Sequence, residues 1–418
     1  TVFMKHFPDH LDRLIRYVRS DKLMALDSII HVLGYYLQLE NPETEKAVLD
    51  RLQKISNNIL PNRRTIPTSQ NDPIYESIVD IIVMIANKTL DFAMKQMVLE
   101  CLKSDFASES VYVGLKAFLA IANQSDLKKF SAMMDDDIND YPPWISKLLQ
   151  RSANSNGNGG EELDSSSSAT VRIHSPFSSY RTNLTFNRTT SFSLSSEPLL
   201  AQRLMSEIGV KQYEEQLSQS LSSILHNFDA NFGNYLIINQ TRPLHEVLSR
   251  DKYYGLRVFG TALSCIPRLL PNQISPKQLA DMLCRCILHQ HRELRDVSWD
   301  VMCQLMDNEP TLRAVLVHSF GEMIQKINDF HSKHLLYAIT KFLALLLKWI
   351  DNLQTNQSDN VPKPTCYGKL NRPFEVTPFE LGLIESLGLI LLCNLDPGIR
   401  LAALQIFTHS RTITSMLM

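Results

Sequence analysis

The sequence contains little glycine, with 14 residues in a chain of 418. Nucleotide phosphates are commonly held in glycine-rich loops, and no such loop, GxSxG elbow, HExxH pair or CxxC pair occurs here. A catalytic triad assembled from distant residues would leave no local motif, so a helical enzyme stays open as an alternative. The absence of every local catalytic motif favours a protein that is not an enzyme.

An excess of charge of either sign is also missing. Lys and Arg total 42 and Asp and Glu total 44, which leaves a formal net charge of −2. Proteins that bind nucleic acids normally carry a basic excess, so we predict no nucleic-acid partner. The seven cysteines are odd in number and scattered, a pattern typical of free thiols in a reducing compartment such as the cytoplasm.

No apolar run is long enough to span a bilayer. The two most apolar stretches are LLYAITKFLALLLKWI (Leu335–Ile350) and FELGLIESLGLILLCNL (Phe379–Leu395). Both are shorter than the roughly 20 residues that a transmembrane helix needs, and both are interrupted by charged residues. They predict buried helices and no transmembrane segment.

The sequence is rich in helical periodicity. Apolar residues recur at spacings of three and four in six successive segments, separated by short polar breaks, whereas almost no segment alternates with a period of two. This pattern predicts an all-α fold. The six helices are predicted at His10–Arg19, Leu23–Leu39, Thr44–Ile59, Ile74–Asn87, Leu90–Leu102 and Val111–Asn123.

Two segments interrupt the helical pattern. The first is crowded with Ser, Asn and Thr and predicts a long disordered insert. The second is shorter, contains proline and predicts a loop. The chain is thereby divided into N-terminal helical repeats (1–150), the disordered insert (151–198), HEAT-like repeats (199–350), the loop (351–377) and further HEAT-like helices (378–418).

The stretch LDPGIRLAALQIF near the C-terminus indicates a helical repeat. Asp396 is a good N-cap, the proline after it suits a first helical turn, and an Ile-Arg pair at Arg400 precedes a small residue. Similar aliphatic-Arg pairs end at Arg257 and Arg295, which are 38 residues apart, and a weaker match, His334-Leu335, follows 40 residues later. This spacing is typical of HEAT repeats and predicts an α-solenoid of HEAT/armadillo-like repeats.

In such a solenoid, Arg257, Arg295, Asp396 and Arg400 lie at the junctions between repeats. Two roles stay open for the arginines. They bond either the carbonyls at a helix end or an Asp of a neighbouring repeat. The small residue four positions after each aliphatic member lets another helix approach closely.

The segment CRCILHQH resembles a metal-binding cluster. Cys284 and Cys286 point about 200° apart on a helix, so they cannot share one tetrahedral site unless the helix breaks. We therefore interpret both residues as buried thiols, and His289 and His291 as turn residues. No metal and no cofactor are predicted.

Arg13, Arg16 and Arg19 form a slanting face on the first predicted helix. This face is either an ordinary solvated surface opposite the apolar residues or a docking strip for an acidic partner. Both interpretations stay open.

The predicted insert contains two candidate phosphorylation sites. Ser175 precedes a proline, as a proline-directed kinase requires, and Ser191 follows an arginine by three residues, as a basophilic kinase requires. The half of the insert from Ser165 to Ser196 contains three Arg and no acidic residue. Two phosphates would cancel or reverse its positive charge and could change the surfaces that it contacts. The alternative is a plain spacer that matches these short patterns by chance.

One longer stretch is more specific than a generic repeat. GLRVFGTALSCIPRLLP, together with HRELRDVSWDVMCQLM downstream and DHLDRLIRYVRSDKLMALDSIIHVLGYYL upstream, resembles the Furry family of very large cell-morphogenesis proteins. The resemblance implies a long HEAT/armadillo scaffold that binds NDR/LATS-type kinases and their Mob coactivators. It also implies a role in polarised growth and cytoskeletal organisation, at the cell cortex or the cytoskeleton.

The resemblance assigns no kinase-contact residue in this sequence. A HEAT-repeat adaptor for transport or phosphatase targeting is the alternative within the binding proteins. An importin-like carrier would be expected to be strongly acidic, which the net charge of −2 disfavours.

Overall fold

The computed structural model describes residues 72–131, 210–239, 242–327, 332–355, 366–368, 370 and 378–417. These residues form helices joined by turns, and they contain two isolated β-bridges but no β-strand. The prediction of an all-α fold is confirmed, and the arrangement of the helices is consistent with a helical solenoid.

The N-terminal part of the described chain contains four α-helices and one π-helical segment. The helices predicted at Ile74–Asn87, Leu90–Leu102 and Val111–Asn123 all lie within these elements, whereas the three earlier predicted helices lie outside the described residues. The elements are α1 (Asp72–Lys88), α2 (Leu90–Phe92), the π-helix (Ala93–Val98), α3 (Leu99–Leu102) and α4 (Glu109–Ser131).

Nine further α-helices follow in the described residues after position 210. They are α5 (Glu214–Phe232), α6 (Leu244–Val247), α7 (Arg250–Ser264), α8 (Pro276–Ile287), α9 (Arg292–Asn308), α10 (Arg313–Gln325), α11 (Ser332–Thr355), α12 (Pro378–Leu392) and α13 (Pro397–Leu417).

The longer helices pack in two rows. In the first row, α4, α7, α9, α11 and α13 each contact the next, and in the second row α8 contacts α10, which contacts α12. An ion pair between Arg285 of α8 and Asp229 of α5 (2.6 Å) adds α5 to the second row. Successive hairpins α8–α9, α10–α11 and α12–α13 therefore stack side by side, as solenoid repeats do.

The antiparallel hairpins give the solenoid two edges. The turns inside hairpins, such as α8 to α9 and α12 to α13, lie at one edge, which we name the turn edge. The connections between hairpins, α7 to α8, α9 to α10 and α11 to α12, lie at the opposite edge, which we name the connection edge.

Local sequence signals explain where several helices begin. Ser275 and Gln278 form a reciprocal capping box at α8, with Pro276 in the first turn. Ser249 accepts a hydrogen bond from the backbone N–H of Lys252 and caps α7. Each cap satisfies a backbone donor that the helix itself leaves unpaired.

Buried aromatic and aliphatic side chains fill the space between the rows. Phe228 of α5 stacks on Phe259 of α7 with ring centroids 5.0 Å apart, and Phe320 of α10 meets Phe342 of α11 edge-on at 5.9 Å. All four rings are fully buried. Such offset and edge-to-face pairs stabilise the contact beyond the area that they bury.

The structure departs in two respects from the loop predicted at 351–377. Helix α11 continues to Thr355, because Asn352 is held by a hydrogen bond from its side-chain amide to the carbonyl of Met306 (3.0 Å). Further along, Tyr367 forms an isolated parallel bridge with Leu269 in the α7–α8 connection. Tyr367 is therefore placed at the connection between α7 and α8.

The two apolar stretches form helices as predicted, but their burial is incomplete. Helix α11 buries most of its apolar residues, whereas Leu389 and Ile390 near the end of α12 are 59% and 58% exposed. Gly388, immediately before them, faces Phe407 of α13.

Candidate functional site

Two of the predicted junction arginines bind backbone carbonyls of the turn that precedes their own helix, at the turn edge. Arg295 donates from Nη1 to the carbonyls of His289 (2.8 Å) and Gln290 (3.0 Å). Arg400 donates from Nη1 to the carbonyls of Asn394 (2.9 Å) and Leu395 (2.7 Å). Each arginine lies in the first turn of its helix and ties the preceding turn to it.

Arg257 makes a different contact. It lies in the middle of α7 rather than in its first turn, and its guanidinium pairs with both carboxylate oxygens of Asp72 on α1 at 2.7 Å. The guanidinium also lies 5.0 Å from the ring centroid of Tyr112 on α4. This arginine therefore connects α7 to the N-terminal helices instead of holding a turn.

Asp396 begins the last helix. Its side chain accepts a hydrogen bond from the backbone N–H of Gly398 (2.8 Å), and its carbonyl accepts one from the N–H of Arg400 (3.2 Å). Asp396 and Arg400 thus hold the α12–α13 turn from both of its sides.

The three small residues of the repeat pattern lie in different environments. Ser298 and Ala403 are fully buried, and the Ser298 hydroxyl donates to the carbonyl of Leu294 within its own helix (2.6 Å). A Cβ added at Gly260 would meet nothing within 4 Å. Close approach of a neighbouring helix therefore does not require a small residue at position 260.

Arg313 is a junction arginine that the repeat pattern did not identify. It is 4% exposed, and its Nε donates to the carbonyl of Met306 across the connection edge (2.7 Å). Burial lowers its pKa from the ordinary value. The sequence offers a partial signal, because Leu312-Arg313 is an aliphatic-Arg pair, but a leucine instead of a small residue stands four positions after Leu312.

The segment CRCILHQH spans the end of α8 and the turn after it. Cys284 and Cys286 are fully buried, and burial raises the pKa of both thiols, that of Cys286 to about 12. His289 lies 3.0 Å from the Phe232 carbonyl through Nε2 and accepts from the N–H of His291 at Nδ1 (3.0 Å).

The histidines of this segment are engaged in the turn itself. His291 also accepts from the N–H of Leu294 and caps α9. Burial lowers the pKa of His289 to about 4 and shifts the pKa of His291 in the same direction. Among the residues that the structure describes, no group of three or more His, Cys, Asp and Glu side chains is placed to hold a metal ion.

Exposed apolar side chains cluster around the last turn. We name this cluster the exposed apolar turn. It comprises Leu389, Ile390, Leu395, Leu401 and Leu404, and each is more than half exposed. Large exposed apolar patches are characteristic of interaction sites, which makes these residues candidates for one.

An earlier helix of the first row, α9, indicates what packs on the position equivalent to Leu404. Trp299 lies four residues after Arg295, as Leu404 lies four after Arg400, and the ammonium group of Lys341 on α11 lies 4.4 Å from the centroid of the Trp299 ring. In α9 this position is therefore covered by the next helix of the first row. In α13 it carries an exposed leucine.

The remaining candidate residues belong to parts of the chain that the structure does not describe. The partner surface suggested by Arg13, Arg16 and Arg19, and the candidate phosphorylation sites Ser175 and Ser191, lie outside the described residues. They stay predictions from the sequence.

A comparison with protein families identifies the chain. The family described as cell morphogenesis N-terminal (MOR2-PAG1_N) matches residues 1–355, which is most of the sequence. The chain belongs to this Furry/MOR2-PAG1 family of cell-morphogenesis proteins. The match includes the described helices α1 to α11, whereas α12 and α13 with the exposed apolar turn follow it.

Family membership confirms the resemblance found in the sequence and supports a role in cell morphogenesis. Within the described ranges, no helix combines the length and the apolar character needed to cross a lipid bilayer.

Proposed function

We propose that this Furry-family chain is a non-catalytic scaffold that binds an NDR/LATS-type kinase and its Mob coactivator. In this role it supports polarised growth and cytoskeletal organisation from the cytoplasm, at the cell cortex or along the cytoskeleton. The observation that carries the proposal is the family match over residues 1–355. The two-row solenoid adds support, because stacked repeats present a long continuous surface to partners.

The exposed apolar turn supports binding to a protein rather than to a small molecule. All of its side chains are more than half exposed, and Leu395, in the turn between α12 and α13, is 95% exposed. Small-molecule sites are instead concave and bury most of the ligand.

A pull-down with the whole 418-residue chain, analysed by mass spectrometry, tests the proposal. We expect an NDR/LATS-type kinase or a Mob protein among the specifically retained proteins. Recovery of neither, with phosphatase subunits or transport factors retained instead, would replace this proposal with the HEAT-adaptor alternative. Binding of purified kinase and of purified Mob, each measured alone, then distinguishes which one contacts the chain.

Matched variants locate the contact surface. Leu401→Glu with Leu404→Glu places two charges in the exposed apolar turn, and Gln405→Glu with Ser415→Glu places two charges at exposed polar positions of the same helix. Arg13→Glu with Arg16→Glu tests the arginine strip in the same way. We expect one of the two test pairs to reduce partner binding at least tenfold while the control pair leaves it unchanged.

A further inference from the structure

The strongest feature outside the repeat junctions is a short segment docked on the connection edge. We name Cys366, Tyr367, Gly368 and Leu370 the strap, and its Tyr367 forms a parallel bridge with Leu269 in the α7–α8 connection. The N–H of Tyr367 donates to the carbonyl of Arg268 (2.7 Å), and the N–H of Leu270 donates to the carbonyl of Tyr367 (2.8 Å). The strap is thus held through its backbone, as an added β-strand is.

One aromatic side chain anchors the strap. Tyr367 is 4% exposed, and its ring meets Phe118 of α4 edge-on with centroids 6.3 Å apart. The next residue, Gly368, has a φ of +86°, and a Cβ there would lie 2.5 Å from the Leu270 carbonyl oxygen. Only glycine therefore fits at this position without displacing the strap.

The surface under the strap is built by other elements. Phe118 and Asn123 belong to α4, Ser218 belongs to α5, and Arg268 in the α7–α8 connection donates to the Asn123 side chain (2.8 Å). Helices α4 and α5 each pack directly on α7, so the elements that form the walls of this surface are held together without the strap. We name the surface between them the connection groove.

A polar atom in the connection groove points to a ligand. Ser218 is 1% exposed, and its Oγ has no hydrogen-bond partner among the residues that the structure describes. This oxygen lies 2.7 Å from the position that a Cβ of residue 368 would occupy, so it faces the strap directly. A buried hydroxyl without a partner is costly, and the strap leaves this cost in place. A segment whose backbone donates to the hydroxyl would therefore bind the groove more favourably than the strap does.

We propose that the connection groove is a peptide-binding site that the strap fills within the same chain and can leave. Its ligand is an extended protein segment with an aromatic residue followed by glycine, in which the aromatic side chain packs beside Phe118 and the glycine passes Leu270 and Ser218. The strap consists of a few residues that lie outside every helix of the described chain. It can therefore exchange with an equivalent segment from a partner protein without unfolding the repeats.

The test uses the whole chain and a pair of glycine variants. Gly368→Ala places a Cβ against the Leu270 carbonyl, whereas Gly382→Ala in α12 adds a Cβ that meets nothing within 4 Å. Hydrogen exchange reports release of the strap. We expect the amide of Leu270 to exchange at least 100-fold faster in Gly368→Ala than in the natural chain or in Gly382→Ala, with unchanged circular dichroism.

Fluorescence anisotropy then tests whether the emptied groove binds a peptide. The labelled peptide has the sequence of residues 364–371, PTCYGKLN, with serine replacing cysteine. We expect saturable binding to Gly368→Ala, at least tenfold tighter than to the natural chain, and no binding of a peptide in which alanine replaces tyrosine. Tyr367→Ala serves as the second release variant if Gly368→Ala does not fold.

Three outcomes would overturn the proposal. The Leu270 amide does not exchange faster, which means that the strap is not released. The released chain does not bind the peptide, which means that the groove recognises no such segment. Both release variants fail to fold, which means that the strap is an integral part of the repeats.

Discussion

Arg295 and Arg400 make equivalent pairs of hydrogen bonds in different surroundings. Arg295 is half-buried, whereas Arg400 is exposed to solvent. A charged hydrogen bond in a protected site contributes about 1.5–3 kcal/mol, and an exposed one contributes about 0–1 kcal/mol because water competes for both partners. The two residues therefore allow the effect of solvent to be measured with the chemistry held constant.

We expect Arg295→Ala to lower the free energy of unfolding by about 2 kcal/mol and Arg400→Ala by less than about 1 kcal/mol. Urea unfolding followed by circular dichroism measures both. Arg292→Ala is the control, because this residue is 85% exposed and pairs only loosely with Asp296 (3.7 Å). Equal losses for Arg295→Ala and Arg400→Ala would mean that burial does not set the strength of these bonds.

His289 should make the stability of the chain depend on pH. Burial lowers its pKa from 6.5 to about 4, so the unfolded chain takes up a proton before the folded chain does. The stability contributed by the neutral ring is complete above about pH 6.5 and is lost progressively as the pH falls towards 4. At 1.36 kcal/mol per pH unit, the full loss amounts to about 3 kcal/mol.

Urea midpoints between pH 7.5 and pH 5 measure this dependence. We expect His289→Asn to unfold at lower urea than the natural chain at pH 7.5 but to lose less stability on acidification. His245→Asn serves as the control, because its imidazole is 71% exposed. An unchanged slope in His289→Asn would assign the pH dependence to other groups, of which His291 is the nearest.

At the scale of elements, glycine marks one close helix contact. A Cβ at Gly114 of α4 would lie 2.8 Å from the Cβ of Cys101 on α3, and a Cβ on a backbone that is already packed cannot move aside cheaply. We expect Gly114→Ala to destabilise the chain by about 1–3 kcal/mol, the usual cost of overpacking.

Gly260→Ala is the matched substitution in α7. Its added methyl group meets nothing within 4 Å, and alanine is favoured over glycine in a helix by about 0.5–1 kcal/mol. We expect this variant to raise the thermal unfolding temperature while Gly114→Ala lowers it. A rise of the unfolding temperature in both variants would show that α3 and α4 can move apart without loss of stability.

The elements themselves were largely predictable, because a helix is specified by apolar spacing within a short window. Leu90–Leu102 was predicted as one helix, and the structure interrupts it with the π-helix Ala93–Val98. Periodicity could not predict this change, since it does not distinguish the two helical types.

The partners of the junction arginines were less predictable. The carbonyls bound by Arg295 and Arg400 lie five or six residues upstream, so local sequence defines them. Asp72 lies 185 residues from Arg257, and no local pattern connects them. The strap was missed for the same reason, because its contacts join chain segments that are adjacent only in the folded solenoid.

At the scale of the whole molecule, the exposed apolar turn should promote self-association. Five aliphatic side chains at one hairpin end are each more than half exposed, and burying apolar surface stabilises association by roughly 25 cal/mol per Å². We expect light scattering to detect concentration-dependent association of the natural chain, and Leu401→Glu with Leu404→Glu to abolish it. Gln405→Glu with Ser415→Glu should leave it intact, and equal loss in both pairs would point to net charge instead.

The repeats on either side of the predicted insert hold together through contacts that lie outside it. Phe106, just before α4, meets Phe228 of α5 edge-on at 4.9 Å, and Tyr213 at the start of α5 donates a hydrogen bond to Asp91 of α2. Helices α4 and α5 also both pack on α7. The residues that connect α4 to α5 are therefore not needed to bring these helices together.

Deleting residues 152–196 should consequently leave the thermal unfolding temperature nearly unchanged. The segment has too few large apolar side chains to form a core, and the entropy of closing a loop changes by only about 0.6 kcal/mol when its length is halved. In the natural chain, limited trypsin digestion should cut first near Arg172, Arg181 or Arg188, and the two fragments should stay associated on gel filtration. A fall of many degrees in the deletion variant would show instead that the insert packs against the repeats.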